Sequence, residues 1–190
     1  HVPVGDDQKQ HLELCRDIAQ KFNNDFEMDN FLKVPEPLIQ KEFSRIMSLK
    51  EGSKKMSKSE LSDLSRINLT DSKDQIINKI KKAKTDPLPM PKTIKELDER
   101  LEAKNLIGIY SSLTNSTMEK SVESFAGKNF SEFKEKLSLV LVDKIEPISI
   151  EIKQLLDDQS YLDKILLEGV EKANLIASKK IKRIKEIVGF

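Results

Sequence analysis

The chain has 190 residues, of which 37% are apolar and 34% are charged, against about 45–50% and 25% in average globular domains. This composition favours helices with broad solvated faces and argues against a β-sandwich or barrel. The formal net charge is only +1, so no overall electric field draws the chain to nucleic acid or to an anionic membrane. Any polyanion must therefore be bound by a local patch.

Cysteine, histidine and long apolar runs are all scarce. The one thiol, Cys15, cannot form an internal disulfide, and with His1 and His11 it cannot complete a structural zinc site. No apolar stretch approaches the roughly 18 residues of a membrane span, and the first residues do not resemble a signal peptide. We therefore expect a soluble, cytoplasmic chain with no metal ligands of its own and no membrane contact.

The first sixty residues predict alternating strand and helix. A short extended stretch at 2–4 leads through Gly5 into a helix predicted over 6–22. A loop with two prolines at 33–37 leads to a second predicted strand at 45–49. Strand, turn and helix in this order are typical of an α/β sheet.

The second half predicts long helices, because only one proline follows residue 92. Apolar residues recur there at helical spacing over three segments, 93–114, 131–156 and 160–188. We expect Pro147 to kink or split the second helix, Ser160 to cap the third and Gly189 to end it. The fold class expected is therefore α/β followed by an all-α helical bundle.

Two acidic residues stand at the predicted turn from strand to helix, in the run Gly5-Asp6-Asp7-Gln8. Backbone N–H groups at a helix start attract anions, and carboxylates there can accept hydrogen bonds from the ribose hydroxyls of a nucleotide. The same carboxylates can simply cap the helix, and from this spacing alone a cap is the favoured interpretation.

A basic segment follows the second predicted strand, and we call residues 50–60 the KMSKS loop. Its lysines could oppose the charge that develops on a leaving pyrophosphate, while its hydroxyls or amides hold phosphate oxygens. The alternative is a solvated basic loop that binds nothing. The run Lys55-Met56-Ser57-Lys58-Ser59 argues against that alternative, because it matches the second signature of class I aminoacyl-tRNA synthetases residue for residue.

Further runs in the same order extend this likeness. They are Val2-Pro-Val-Gly-Asp-Asp-Gln-Lys-Gln-His11, Lys33-Val-Pro-Glu-Pro37, Arg45-Ile-Met-Ser-Leu49 and Asn105-Leu-Ile-Gly-Ile-Tyr110. Together with KMSKS they resemble the bacterial and organellar tryptophanyl-tRNA synthetases. The resemblance implies the C-terminal part of a Rossmann-type catalytic domain at 1–60 and an α-helical anticodon-binding domain at 61–190.

The resemblance also implies a reaction and its site. ATP, accompanied by Mg²⁺, would activate L-tryptophan, which a homodimeric enzyme would then transfer to tRNA(Trp). Lys55 and Lys58 would be the catalytic residues, and Val4 and Gln8 would lie beside the bound tryptophan. The ATP-binding residues implied are Gly5, Asp6, Asp7, Ile46, Lys55, Met56, Ser57, Lys58 and Ser59.

Part of such a site is expected outside the numbered chain. Two strands do not form an independently stable doubly wound sheet, and the family's HIGH-like motif would lie upstream of His1. We therefore expect a C-terminal portion of a longer protein, inactive alone. The competing interpretation is a non-catalytic helical module that binds RNA or protein through basic faces, such as the five cations within 179–185.

Overall fold

The structure is a computed structural model that describes residues 1–39 and 45–190. For Asp7 it describes the backbone but not the side chain. It is mostly helical, with one small parallel sheet, and so confirms the expected class of α/β followed by helices. Packing divides the chain into two units, His1–Ile39 with Ile152–Phe190, and Gln40–Glu151. The described helices include none that is long and apolar enough to cross a membrane.

The small sheet belongs to the first unit. Strand β1 (Val2–Pro3) runs parallel to β2 (Pro37–Leu38), and helix α1 (Lys9–Asp25) connects them. Val2 pairs with Pro37 and Pro3 with Leu38, and the Val2 amide donates to the Glu36 carbonyl at 2.8 Å. Two-residue strands suit the prolines, because each proline lacks an N–H group and cannot extend a ladder.

The prediction of a second strand at 45–49 is wrong. The sheet partner of β1 lies earlier, in the proline-marked segment that the sequence had suggested as a loop. Within 45–49 only Met47 takes part in a strand-like bridge, an antiparallel one with Lys55. Burial in this segment instead falls on two consecutive residues, Ser48 and Leu49.

Helix α7 (Gln159–Val188) completes the first unit. Its predicted cap at Ser160 is wrong, because Asp158 caps the helix by accepting a hydrogen bond from the Tyr161 amide at 3.0 Å. The bond from the Tyr161 amide, with a second that Ser160 donates to the same carboxylate, lowers the pKa of Asp158. Gly189 ends the helix in the left-handed region with φ 91°, as predicted.

Helix α7 is more exposed than its apolar stripe suggested. Along its whole described length no side chain is buried, and Ile181, predicted to turn inward, is 52% exposed. Its Lys180 donates to the Phe31 carbonyl and lies 3.8 Å from the centre of the Phe31 ring, a cation–π geometry. Lys180 of the basic run is therefore engaged within the protein, and Arg183 of the same run pairs with Glu186 at 2.9 Å.

The described residues of the second unit form a helical core in which five α-helices take part. They are α2 (Lys73–Lys82), α3 (Ile94–Asp98), α4 (Leu101–Thr114), α5 (Met118–Phe125) and the first part of α6 (Phe130–Asp157). Phe133 is fully buried at the centre, with its ring centre 4.9 Å from that of Phe125 and 5.9 Å from that of Tyr110. These edge-on and tilted contacts are the favoured aromatic geometries.

The helix predicted over 93–114 is two helices, because the backbone leaves the helical region at Arg100, with φ −122° and ψ 83°. The Arg100 guanidinium donates twice to Asp86, at 2.9 and 2.5 Å, and once to the Pro89 carbonyl at 2.7 Å. Burial raises the pKa of Asp86, but the bonds from Arg100 and the Leu88 amide outweigh burial and lower it. Arg100 thus clamps the loop before α3.

Pro147 does not split α6, which continues from Phe130 to Asp157. A proline inside a helix removes one backbone hydrogen bond and costs about 3 kcal/mol. Buried residues on the preceding turns, including Leu141 and Ile145, hold the helix against that cost through packing.

Gly52 and Gly169 provide a matched test of how closely the KMSKS loop packs against α4. A Cβ on Gly52 would lie 2.9 Å from the backbone atoms Glu102 N and Leu101 C, whereas one on Gly169 would meet nothing within 4 Å. We expect Gly52→Ala to lower the free energy of unfolding by about 1–3 kcal/mol through overpacking. Gly169→Ala should raise it by about 0.5–1 kcal/mol, because alanine is the better helix former.

Urea unfolding of both variants beside the parent chain, followed by circular dichroism, measures the two changes. A Gly52→Ala variant as stable as the parent would contradict the close approach of the KMSKS loop to α4.

Candidate active site

The first group of predicted site residues lies where β1 ends and α1 begins. Val4 donates to the Leu38 carbonyl at 3.3 Å, and a single 3₁₀ turn over Asp6–Gln8 leads into the helix. Val4 and Gly5 are half-buried, whereas Asp6 and Gln8 are exposed. The carboxyl end of a parallel strand is the usual position of ligands in α/β sheets.

The aspartates of this turn do not occupy helix-capping positions. Gly5 is the N-cap of the 3₁₀ turn and Gln8 is the N-cap of α1. A role as the α1 cap therefore does not account for Asp6. The side chain of Asp7 lies outside the described residues.

The second group lies on the KMSKS loop and the segment before it. The Met56 amide donates to the Ile46 carbonyl at 3.0 Å, and the Ser48 amide donates to the Lys54 carbonyl at 2.8 Å. This pairing brings Ile46, which is 47% exposed, beside the run Lys55–Ser59. The structure thus joins two predicted parts of the site that stand ten positions apart in sequence.

The lysines of the loop have different surroundings. Lys54 forms an exposed ion pair with Glu51 at 2.9 Å, which raises the pKa of Lys54 and lowers that of Glu51. Glu51 therefore offsets the charge of Lys54. Lys55 and Lys58 are exposed on the loop.

The serines and the methionine of the motif shape the loop. The hydroxyl groups of Ser57 and Ser59 are 2.8 Å apart, and the Ser59 amide donates to the Ser57 hydroxyl at 3.3 Å. Met56 is half-buried and packs against the hydrophobic core of the second unit. Met56 thus faces the core, while Lys55, Lys58 and Ser59 are exposed.

Sequence reasoning missed a buried amide that supports this loop. Asn105 of α4 is 2% exposed; its Oδ1 accepts from the Met47 amide at 2.9 Å and its Nδ2 donates to the Met47 carbonyl at 2.8 Å. A polar residue inside an apolar helix stripe was the signal that could have identified it, because buried amides require partners.

Sequence reasoning also missed a buried ammonium group. The side chain of Lys79 is 3% exposed, and its Nζ lies 2.7 Å from both Asp63 and Asp71. No pattern marked this lysine, since charged residues are abundant throughout the chain.

The two groups of predicted site residues belong to different packing units, and each is described by itself. Val4 to Gln8 lie together on the first unit; Ile46 and Lys55 to Ser59 lie together on the second. Among the described residues no three histidine, cysteine, aspartate or glutamate side chains group as a metal site would require.

Comparisons with known proteins agree on one family. The family model described as "tRNA synthetases class I (W and Y)" matches residues 1–143. The tryptophan–tRNA ligase of Caulobacter vibrioides is 52% identical over 190 residues, covering all of this chain and 55% of the relative. That of Rickettsia felis is 49% identical over 189 residues and is covered to 56%. The chain thus spans about half the length of these curated relatives.

Solved structures show the same relationship. Tryptophanyl-tRNA synthetase from Mycoplasma pneumoniae superposes with a TM-score of 0.81 at 27% identity, over 98% of this chain and 55% of that one. The Campylobacter jejuni enzyme, complexed with ADP and tryptophan, superposes with a TM-score of 0.67 at 27% identity, over 100% and 56%. Because the family model spans well over half of its residues, the chain belongs to the class I tRNA synthetases of the tryptophan and tyrosine family.

Proposed function

We propose that this chain is part of a cytoplasmic tryptophan–tRNA ligase, which activates L-tryptophan with ATP and transfers it to tRNA(Trp). The observation that carries the proposal is the KMSKS run, with Lys55 and Lys58 exposed and Ile46 held beside Met56. Identity near 50% with two tryptophan–tRNA ligases supports the choice of amino acid. The ADP and tryptophan in the Campylobacter jejuni enzyme support the choice of substrates.

Lys55 and Lys58 are proposed to act on the ATP phosphates. In adenylate formation the tryptophan carboxylate attacks the α-phosphorus of ATP. The bond between the α-phosphorus and the oxygen that bridges it to the β-phosphorus breaks, and pyrophosphate leaves with its extra negative charge. Ammonium groups aimed at that charge stabilise the transition state more than bound ATP. Ser57, Ser59 and the loop amides are proposed to hold phosphate oxygens.

The donors of this loop fit a polyanion and not a cation. Ammonium, hydroxyl and amide groups suit phosphate oxygens, whereas Mg²⁺ prefers carboxylate, phosphate and water oxygens. We therefore expect Mg²⁺ to be held by the ATP phosphates, where it neutralises part of their charge. The residues of this chain then orient the phosphates around it.

The β1–α1 turn is proposed to hold the adenosine and the amino acid. Gly5 lets the backbone approach the nucleotide, and Asp6 and Asp7 accept from the ribose hydroxyls. Val4 and Gln8 flank the tryptophan. Ile46 supplies an exposed apolar surface for the adenine, since it is 47% exposed although apolar.

The remaining helices are proposed to bind tRNA in a homodimeric enzyme. The division into a catalytic part at 1–60 and an anticodon-binding part at 61–190 stays a prediction. The rival, a non-catalytic helical module, would leave the KMSKS loop without a ligand. Nucleotide chemistry at Lys58 and Asp7 therefore separates the two functions.

The first test concerns Lys58 in a completed enzyme, in which this chain replaces the matching part of the Caulobacter vibrioides relative. Lys58→Ala should lower the turnover number of tryptophan-dependent pyrophosphate exchange by raising its activation free energy by about 2–4 kcal/mol, because it removes charge stabilisation of the transition state. Lys54→Ala is the control, with turnover near that of the parent, since Glu51 already offsets that charge. A rise in KM for ATP alone would contradict the catalytic role.

The second test concerns Asp7 in the same completed enzyme. Asp7→Asn keeps the size and shape of the side chain but loses the charge that favours hydrogen bonds from ribose hydroxyls, so melting should be unchanged while ATP binding weakens. Calorimetric titration with ATP, beside a melting curve, measures both. Unchanged ATP affinity would return Asp7 to a purely structural role.

The third test uses the 190-residue chain alone. Its helical core should give cooperative melting by circular dichroism, whereas tryptophan-dependent pyrophosphate exchange should be absent, because one phosphate-binding motif cannot position both substrates. Exchange clearly above background, from a chain verified by mass, would overturn the inference that the site needs further sequence.

A further inference from the structure

The KMSKS loop has little regular structure of its own. Residues 50–60 contain turns and bends but neither helix nor strand, apart from the bridge that Lys55 makes with Met47. Most of its side chains are exposed, so the loop's own packing contributes little to its conformation. The contacts at its two ends therefore act together with those of Gly52 and Met56 in deciding where its lysines lie.

Asn105 holds the segment that enters the loop. Its amide makes two hydrogen bonds with the backbone of Met47, at 2.9 and 2.8 Å, as a neighbouring strand would. Met47 is in turn paired with Lys55. Two contacts, from Asn105 to Met47 and from Met47 to Lys55, thus connect the buried side-chain amide of α4 to one of the lysines proposed to act on phosphate.

Arg66 holds the residue that leaves the loop. Its Nη1 donates to the Glu60 carbonyl at 2.9 Å, its Nε donates to Asn68 Oδ1 at 3.2 Å, and its Nη2 lies 3.2 Å from Asp63 Oδ1. The guanidinium side chain is 18% exposed. Its planar fork fixes one direction for the Glu60 carbonyl, as a single ammonium would not.

The partners of Arg66 are themselves held by Lys79 of α2. Lys79 bridges Asp63 and Asp71 at 2.7 Å each, and Asp71 also accepts from the Asn68 amide at 2.8 Å. The bond from Lys79, with one from Asn68, lowers the pKa of Asp63. A buried ammonium requires such partners, so Asp63 is kept in a fixed position by a group that cannot easily move.

We propose that Asn105 and Arg66, the latter held through Asp63 by Lys79, are positioning residues that fix the two ends of the KMSKS loop and so aim Lys55 and Lys58. None of them lies in the KMSKS run. The proposal rests on the proposed function, because fixed positions of the Lys55 and Lys58 ammonium groups matter only if these lysines act on phosphate. Catalysis by charge stabilisation depends on donors held close to their productive geometry.

The exit of the loop is tested with Arg66→Ala and Arg66→Lys in the completed enzyme. Arg66→Ala should lower the turnover number of pyrophosphate exchange at least 10-fold and leave KM for tryptophan within twofold. The reason is that misplaced ammonium groups of Lys55 and Lys58 stabilise the transition state less, whereas they do not bind tryptophan. Arg66→Lys keeps the charge but not the fork, and should recover only part of the loss. Full recovery by lysine would show a charge effect and overturn the positioning role.

The entrance is tested with Asn105→Ala against Ser111→Ala. Both are buried polar residues of α4, but Ser111 bonds to the Ile107 carbonyl and to Ser121, away from the loop. Hydrogen exchange on the 190-residue chain should be at least 10-fold faster at the Ser48 and Met56 amides in Asn105→Ala. In Ser111→Ala those amides should exchange as in the parent.

The two readouts separate this proposal from the proposed function. Faster loop exchange with lower turnover supports it, whereas unchanged loop exchange in Asn105→Ala, or faster exchange with normal turnover, overturns it. A parent enzyme without pyrophosphate exchange would refute the proposed function, while hydrogen exchange would still decide whether Asn105 anchors the loop. If Asn105→Ala fails to fold, Arg66→Ala decides by the same two measurements.

Discussion

The pair of hydrogen bonds between the Asn105 amide and the backbone of Met47 joins the helical core to the segment that carries the reactive loop. A buried backbone N–H and C=O must find partners, and Met47 is not in a sheet that could provide them. Asn105 supplies both a donor and an acceptor from one side chain. Because the Asn105 side chain takes the place of a neighbouring strand, an irregular segment packs against a helix without losing hydrogen bonds.

Leu49 extends the same principle toward the rest of the second unit. Its side chain is 2% exposed in the core, while its amide donates to the Ser65 carbonyl at 2.8 Å and its carbonyl accepts from the Lys84 amide at 2.7 Å. Ser65 follows the loop and Lys84 follows α2. One apolar residue thus ties together three stretches of chain outside the α-helices, and its burial stabilises bonds that would be weak in water.

Sequence analysis predicted the long helices and the family better than the connections. Apolar periodicity located α6 and α7 closely, and the exact KMSKS run identified the loop, because both signals are local. The break at Arg100 could not be predicted, since it depends on Asp86 and Pro89 fourteen and eleven positions away. β2 was missed because a two-residue strand that includes Pro37 carries no alternation.

Lys79 was missed for a different reason. In a chain that is 34% charged, a lysine on a helix is expected to be solvated, and its pattern holds no sign of burial. Its position depends on Asp71, eight residues before it in a separate turn. Burial of an ion network is a tertiary property, which single-sequence patterns do not encode.

These contacts bear on where a catalytic domain could end. A boundary near residue 60 separates the KMSKS loop from the groups that hold it, because Asn105, Arg66 and Lys79 all follow that position. Packing also places the loop with the helical core, in the unit Gln40–Glu151. If the loop acts on phosphate as proposed, the helices that follow it are structural members of the active site, and a shift of α4 would move Met47 and Lys55 with it.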